Sequence, residues 1–477
     1  MGHKRMQRPP LPILLTLVLW LVLVVSGCTQ TYSTEVDSAQ KISDTSGNFD
    51  GNLNITDQFG SAIANIGDLE VDGVTDLAVG APFDDDNGLN RGAVWILFMD
   101  DDGRVDIQQK ISDDAGGFGG ELDNDDQFGS AVAALGDLNK DGFLDLAVGA
   151  PLDDDGGTDR GAVWILFLNG DGTVRLEQKI SDDTGGFTGD LDGNDQFGRA
   201  LASIGDLNND GVRDLAVGVP NDDDSGTDRG AVWILFMNLD GTVNSAQKIS
   251  SDEGNLDPNP DNGDHFGSSV AVIGDLNDDG VIDLAVGSTG DDDGGTDRGA
   301  VWILFLNSDG TVDSTERISQ NRGAFDGQLS DRDQFGSAVA NLGDINDDGI
   351  NDLAVGAKQS DDGEADQGAI WILFMQSNGE VISSSFISDT EGKFGGRLNA
   401  GDQFGGAVAS IGDLNDDGPG DIAVGASLDD SGGADKGAAW ILFMEPTDSN
   451  LDRSEGGVFD AFLGPDEVTI GTGDGLL

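Results

Sequence analysis

The chain has 477 residues, with 90 Asp and Glu against 24 Lys and Arg, a net charge of −66, 74 glycines and one cysteine. That charge excludes nucleic acid as a partner, because phosphate binding needs Lys and Arg, and it favours cations as partners or a salt-rich habitat. Cys28 alone cannot form an intramolecular disulfide, and apolar residues falling in regular blocks exclude a disordered acidic chain.

The N-terminus has the shape of a secretory leader. Lys4, Arg5 and Arg8 are followed by an apolar stretch, Leu11 to Val25, and then by Val25-Ser26-Gly27-Cys28. Small residues before a lone cysteine resemble a bacterial lipoprotein processing site. The resemblance implies that residues 1–27 are removed and that Cys28 is lipidated. The protein would then be held to a membrane of the bacterial cell envelope, facing the periplasm or at the cell surface. An uncleaved anchor, or an ordinary leader with an incidental cysteine, is the alternative. Residues 28–36 read as a linker.

From there the sequence repeats. Segments resembling Gly136-Asp137-Leu138-Asn139-Lys140-Asp141-Gly142 begin at Gly67, Gly136, Gly205, Gly274, Gly343 and Gly412, always 69 residues apart. In the unit 126–194, Asp126-Gln127-Phe128-Gly129 opens a short strand, Ser130 to Leu135. An Asp-rich loop follows, then a second strand, Leu144 to Ala150, then an acidic loop, Asp153 to Gly161. Ala162 to Phe167 is a third strand, apolar on both faces, which suits burial between sheets. Asn169-Gly170-Asp171-Gly172 has hairpin chemistry, and Thr173 to Ser181 is a fourth, edge-like strand. A long Gly/Asp loop leads to the next unit.

Four short strands per unit, none able to bury its own faces, predict an all-β fold, a β-propeller. A parallel β-helix has shorter coils. The opening motif and the third-strand tryptophan (Trp95 to Trp440) each occur six times. The ending of the fourth strand first occurs as Lys41-Ile42-Ser43, ahead of unit one, and no copy follows Trp440. Six four-stranded blades are therefore expected over 37–445, the last completed by the N-terminal strand so that no edge stays open. Residues 446–477 read as a tail or a truncated domain.

The Asp loops read as cation sites. Oxygen donors at positions one, three, five and nine, a glycine at six and a main-chain carbonyl at seven suit a hard divalent ion, calcium better than magnesium. The candidate ligands are Asp68, Glu70, Asp72, Val74 and Asp76; Asp137, Asn139, Asp141, Phe143 and Asp145; Asp206, Asn208, Asp210, Val212 and Asp214; Asp275, Asn277, Asp279, Val281 and Asp283; Asp344, Asn346, Asp348, Ile350 and Asp352; and Asp413, Asn415, Asp417, Pro419 and Asp421. Glu70 marks the first site as different, Pro419 keeps its carbonyl, and the varied position four is expected to face solvent. The bland alternative, an acidic turn capping its own backbone, does not explain six copies between apolar strands.

Phe128-Gly129, the loop Asp137-x-Asn139-x-Asp141-Gly142-x-x-Asp145 and Gly149-Ala150-Pro151 together resemble the FG-GAP repeats of integrin alpha subunits. The resemblance covers 37–445. It implies a propeller, calcium (Ca²⁺) in the loops, and a role in binding or adhesion. Integrin propellers have seven blades and do not carry the metal loop in every blade, whereas here six blades all carry it. The Gly-Ala-Pro element decays to Gly287-Ser288-Thr289 and Gly356-Ala357-Lys358.

The expected function is a calcium-binding, lipid-anchored propeller with about six Ca²⁺, one per blade. Its protein or glycan ligand would sit on the face opposite the calcium loops, which carries acidic loops such as Asp222-Asp223-Asp224. The alternatives are an envelope scaffold without a ligand and a carboxylate-dependent hydrolase. An enzyme is not expected, because near-identical units offer no asymmetric site and no Ser-His-Asp set can be built. The tryptophans read as core. Arg91, Arg160, Arg229 and Arg298 read as blade-edge charges paired with aspartates.

Overall fold

A computed structural model of the chain describes residues 30–451, apart from Asp183 and Ser225. The leader, Cys28 and residues 452–477 lie outside the described residues. All regular structure among the described residues is β-strand. Six four-stranded sheets recur in chain order, each antiparallel throughout. In the second blade the strands are Ala131–Gly136, Asp145–Ala150, Ala162–Leu168 and Val174–Ile180. The third strand of every blade is buried along its whole length, as its unbroken apolar run requires.

Closure follows the expected route. Val36–Ile42 pairs with Ala438–Met444, placing Lys41 opposite Trp440, and completes the sixth sheet. Tyr32 and Thr34, inside the stretch read as a linker, donate their N–H groups to Ser383 Oγ at 2.9 Å and Ser385 Oγ at 3.1 Å on the fifth blade's outer strand. Gln30–Ser33 also pairs with Asp448–Leu451.

The blades are joined by backbone. The phenylalanine of each opening motif forms a parallel bridge to the glycine before the third strand of the preceding blade: Phe128 to Gly92, Phe197 to Gly161, and so on round to Phe59 with Gly437. At the first junction, Gly129 has φ +94°, and a Cβ there would lie 2.3 Å from the Ala93 carbonyl oxygen. A Cβ on Gly80, in the second strand of the first blade, would lie 1.9 Å from the Gly129 oxygen. Two chains at this spacing admit only glycine. The Phe and Gly of the opening motif and the Gly of the Gly-Ala-Pro element are therefore one structural device.

Side chains fill the space that this junction leaves. Trp164 meets Phe118 edge-on at 5.0 Å, and Phe118 meets Phe128 at 5.2 Å. Aromatic contacts of this kind add to area burial. Phe118 and Leu122 are buried anchors inside a blade-to-blade loop that otherwise reads as Gly and Asp. The fourth strand contributes a cation over the tryptophan: Lys179 Nζ lies 5.4 Å from the Trp164 ring and 2.5 Å from the buried Asp153. The same arrangement joins Lys110 to Asp84, Lys248 to Asp222, Arg317 to Asp291 and Lys41 to Asp429. Blade five changes both members together: Ser360 stands at the Asp position and Phe386 at the Lys position, with Phe386 against Trp371 at 4.5 Å.

Two predictions follow from this packing. Gly129→Ala should cost roughly 3 kcal/mol or more, because strain and a backbone clash combine there. Gly142→Ala, in open space at φ +95°, should cost only roughly 1–2 kcal/mol; chemical denaturation of both variants checks the order. Lys179→Ala leaves Asp153 buried and unpaired and should cost about 3–5 kcal/mol. Copying blade five, Asp153→Ser with Lys179→Phe, should recover most of that loss; equal instability of the single and double variants would contradict it.

Candidate metal centres

Each Asp loop turns the chain from the first strand of a blade into the second, so all six loops occupy the same end of their blades. The turn is made by two left-handed residues. Position four has φ between +58° and +64° in all six loops, at Val71, Lys140, Asn209, Asp278, Asp347 and Asp416. Position six is the glycine, with φ +95° at Gly142. Val71 is 84% exposed, so position four faces solvent.

These turns wind the backbone round the loop's own oxygens. In loop two, Asp137 accepts from the N–H groups of Asp141 at 2.8 Å and Gly142 at 2.9 Å. Asn139 Oδ1 accepts from Asp141 at 2.9 Å, and Asp141 Oδ1 from Phe143 at 3.0 Å. Asp145, fully buried at the head of the second strand, accepts from Leu138 at 2.9 Å. The same bonds hold Asp206, Asn208 and Asp210 with Val212, Asp275, Asn277 and Asp279 with Val281, and Asp344, Asn346 and Asp348 with Ile350. Pro419 has no N–H to give Asp417, while Asp413 and Asn415 keep their bonds to Asp417. Each carboxylate oxygen so used retains a lone pair.

Loop one is built differently. Asp72 N–H reaches Asp68 at 2.9 Å, while the Glu70 carboxylate faces Asp76. Asp68, Glu70 and Asp76 each bring an oxygen to within 4.8 Å of the other two. Burial, and then the hydrogen bond that a protonated Asp76 gives to the facing Glu70 carboxylate, raise the Asp76 pKa to about 8. In loop two Arg175 already forms an ion pair with Asp141, so a cation there meets a competitor.

The donor chemistry fits a hard divalent ion. Desolvation raises the position-nine carboxylates to about 6 at Asp145, Asp214, Asp283 and Asp421, and to about 7 at Asp352. A carboxylate that water no longer stabilises, beside further acids, gains from a cation with oxygen affinity.

The opposite end of the blades carries acids that the sequence pattern did not single out. Asp126, the first residue of the opening motif, is 2% exposed. It accepts from Asp123 N–H at 2.8 Å, and burial raises its pKa to about 7. Asp57 and Asp195 are also raised to about 7. Their signal was recurrence at a strand start without any apolar partner of its own. The blade-edge cations pair with aspartates in four blades, Arg91 with Asp113, Arg160 with Asp182, Arg298 with Asp331 and Lys436 with Asp44. Arg229 instead meets Asn262 at 2.8 Å, and Gln367 donates to the Leu398 carbonyl.

These raised carboxylates set a pH dependence. Between about 4, where the unfolded acids lose their protons, and about 6 to 7, the folded chain binds more protons than the unfolded chain. Stability of the metal-stripped protein therefore falls as pH rises through that window. Its melting temperature should be higher at pH 5 than at pH 7.5, and Asp145→Asn should raise the value at pH 7.5. A melting temperature that climbs from pH 5 to 7.5 would contradict this.

Comparison with known proteins identifies the unit. The profile of the FG-GAP repeat matches residues 59–97, 128–166, 197–235, 266–304 and 335–373. Integrin alpha-2 of Mus musculus is 38% identical over 164 residues, 34% of this chain and 13% of its own length. Integrin alpha-3 of Cricetulus griseus is 32% identical over 243 residues, half of this chain and 20% of its own. Phosphatidylinositol-glycan-specific phospholipase D of Bos taurus is 30% identical over 185 residues, 38% of this chain and 21% of its own. The chain thus spans about a fifth or less of these relatives. With the phenylalanine–glycine junction and the Asp loop recurring in all six blades, the chain is an integrin-alpha-like FG-GAP repeat protein.

Proposed function

We propose that the propeller is a calcium-loaded ligand-binding or adhesion module, with about one Ca²⁺ in each of its six Asp loops. The observation that carries the metal is loop one, where Asp68, Glu70 and Asp76 bring carboxylate oxygens within 4.8 Å of one another; the other five loops share its buried position-nine carboxylate. Positions one, three, five and nine would supply side-chain oxygens, and Val74, Phe143, Val212, Val281, Ile350 and Pro419 the main-chain carbonyl. Calcium would bind the native chain alone and so stabilise it, by about 2.7 kcal/mol per site at a hundred times the dissociation constant.

The similarity to integrin alpha subunits supports the binding role, with a protein or glycan ligand on the face opposite the Asp loops. The leader and Cys28 support secretion and lipid anchoring to a cell envelope. No catalytic role is proposed: the phospholipase D match covers a fifth of that protein, and the repeated units make near-copies of one another.

Titrating calcium into the chelator-stripped protein by calorimetry, with thermal melting alongside, tests the proposal. Uptake of about six ions and a large rise in melting temperature are expected, with the rise greater at pH 7.5 than at pH 5. Absence of binding together with an unchanged melt would overturn it.

A further inference from the structure

The six first strands line a central channel, and the repeat is broken at its mouth. The residue after each Phe-Gly pair is Ser61, Ser130, Ser268, Ser337 or Gly406, but in blade three it is Arg199. The residue closing each Gly-Ala-Pro element is Pro82, Pro151, Pro220, Thr289 or Ser427, but in blade five it is Lys358. Both positions lie at the end of the ring away from the Asp loops. Arg199 and Lys358 together line the channel cavity of about 140 Å³ and an adjoining cavity of about 160 Å³ that spans blades three to five.

The surroundings of this pair differ from those of the fourth-strand cations. Lys41, Lys110, Lys179 and Lys248 each sit on a buried aspartate. Neither Arg199 nor Lys358 makes a side-chain ion pair among the described residues, in a chain with 90 acids. Burial in the ring and the positive charge of Arg199 hold the Lys358 ammonium down to about 8. The adjoining cavity is otherwise lined mostly by polar side chains, whereas the channel cavity is lined largely by Ala, Val, Ile and Leu. Ser268 Oγ lies 3.1 Å from Thr289 Oγ1, and His265 Nδ1 lies 3.1 Å from Asn221 Oδ1, which fixes the ring as a donor on that side. Arg199 is exposed and Lys358 half-buried at the channel mouth, so two like charges face one opening whose lining, among the described residues, holds no carboxylate, and an anion joining them would relieve their repulsion.

We propose that the channel mouth between blades three and five is a binding site for one compact oxyanion of the sulfate or phosphate type, held by Arg199 and Lys358. A guanidinium fork and an ammonium complement such a group. The cavity admits a single tetrahedral oxyanion, and the acidic rim disfavours a polyanion by like-charge repulsion. The site is independent of calcium, and it places a cationic pair, without a carboxylate partner among the described residues, at the channel mouth. The group could arrive as a free ion or as a substituent on a sugar; the chemistry of its capture is the same.

Calorimetric titration of the full chain with inorganic sulfate, and separately with a sulfated monosaccharide, at constant ionic strength in chloride tests the proposal. One equivalent should bind. Affinity should fall at least tenfold in Arg199→Ser and in Lys358→Ser, both of which install a residue that other blades already carry. Without sulfate both variants should melt at or above the parent temperature, because charge repulsion is relieved, and both should lose the rise that sulfate gives the parent. Sulfate should also slow acylation of Lys358, read by peptide mass. Tighter binding of the free ion or of the sugar sulfate decides the source, and either order supports the site. No binding of either probe, or binding unchanged in both variants, would overturn it.

Discussion

The approach of backbone to backbone at each blade junction is the constraint on which the rest of this protein depends. Phe128 is bridged to Gly92, and Gly129 and Gly80 leave no room for a Cβ. That contact fixes the distance between neighbouring sheets. It also fixes where the first strand of each blade begins, and therefore where it ends and where the Asp loop must turn. The Asp loops are thus set by the same glycines that hold the ring. Their own geometry is local, with two left-handed residues wrapping the N–H groups inward on the carboxylates.

The side-chain packing is a response to that spacing. Trp164 with Phe118 and Lys179 with Asp153 fill one wedge between blades. The fifth blade fills the same wedge with Phe386 and Ser360. That both members differ together in one blade argues that the buried pair acts as a unit. A buried ion pair that an apolar pair can replace contributes specificity of packing more than net stability. The N-terminal strand completes the sixth blade with the pairing that the other blades make within themselves, Lys41 opposite Trp440 as Lys179 is opposite Trp164. The sixth blade thereby has four strands like the other five.

Much of this was legible in the sequence because a period of 69 residues makes each position testable against five others. The count of blades, the four strands and the closing strand near Lys41 follow from which motifs occur before the first unit and after the last. The Asp loops were legible for the same reason. Phe118 and Leu122 were not, since isolated apolar residues among Gly and Asp carry no periodicity, and only the structure shows them buried. The inward-facing Asp153 was hidden by abundance, because it lies in an acidic loop of a chain with 90 acids, whereas Asp126 carried only its recurrence in the opening motif. Nor does a sequence reveal that Arg199 and Lys358, 159 positions apart, line one cavity at the channel mouth.

A ring of six equal junctions requires that the seam between the last blade and the first be as firm as the rest. The amides that report on it are those of the junction phenylalanines. Phe128, Phe197, Phe266, Phe335 and Phe404 donate across their junctions at 2.9–3.0 Å, and Phe59 donates to Lys436 at 2.9 Å across the seam. Native-state hydrogen exchange of these six amides measures each junction separately. The account predicts comparable slow exchange at all six. Rapid exchange at Phe59 beside slow exchange at the other five would show a ring that is open at its seam, and would contradict it.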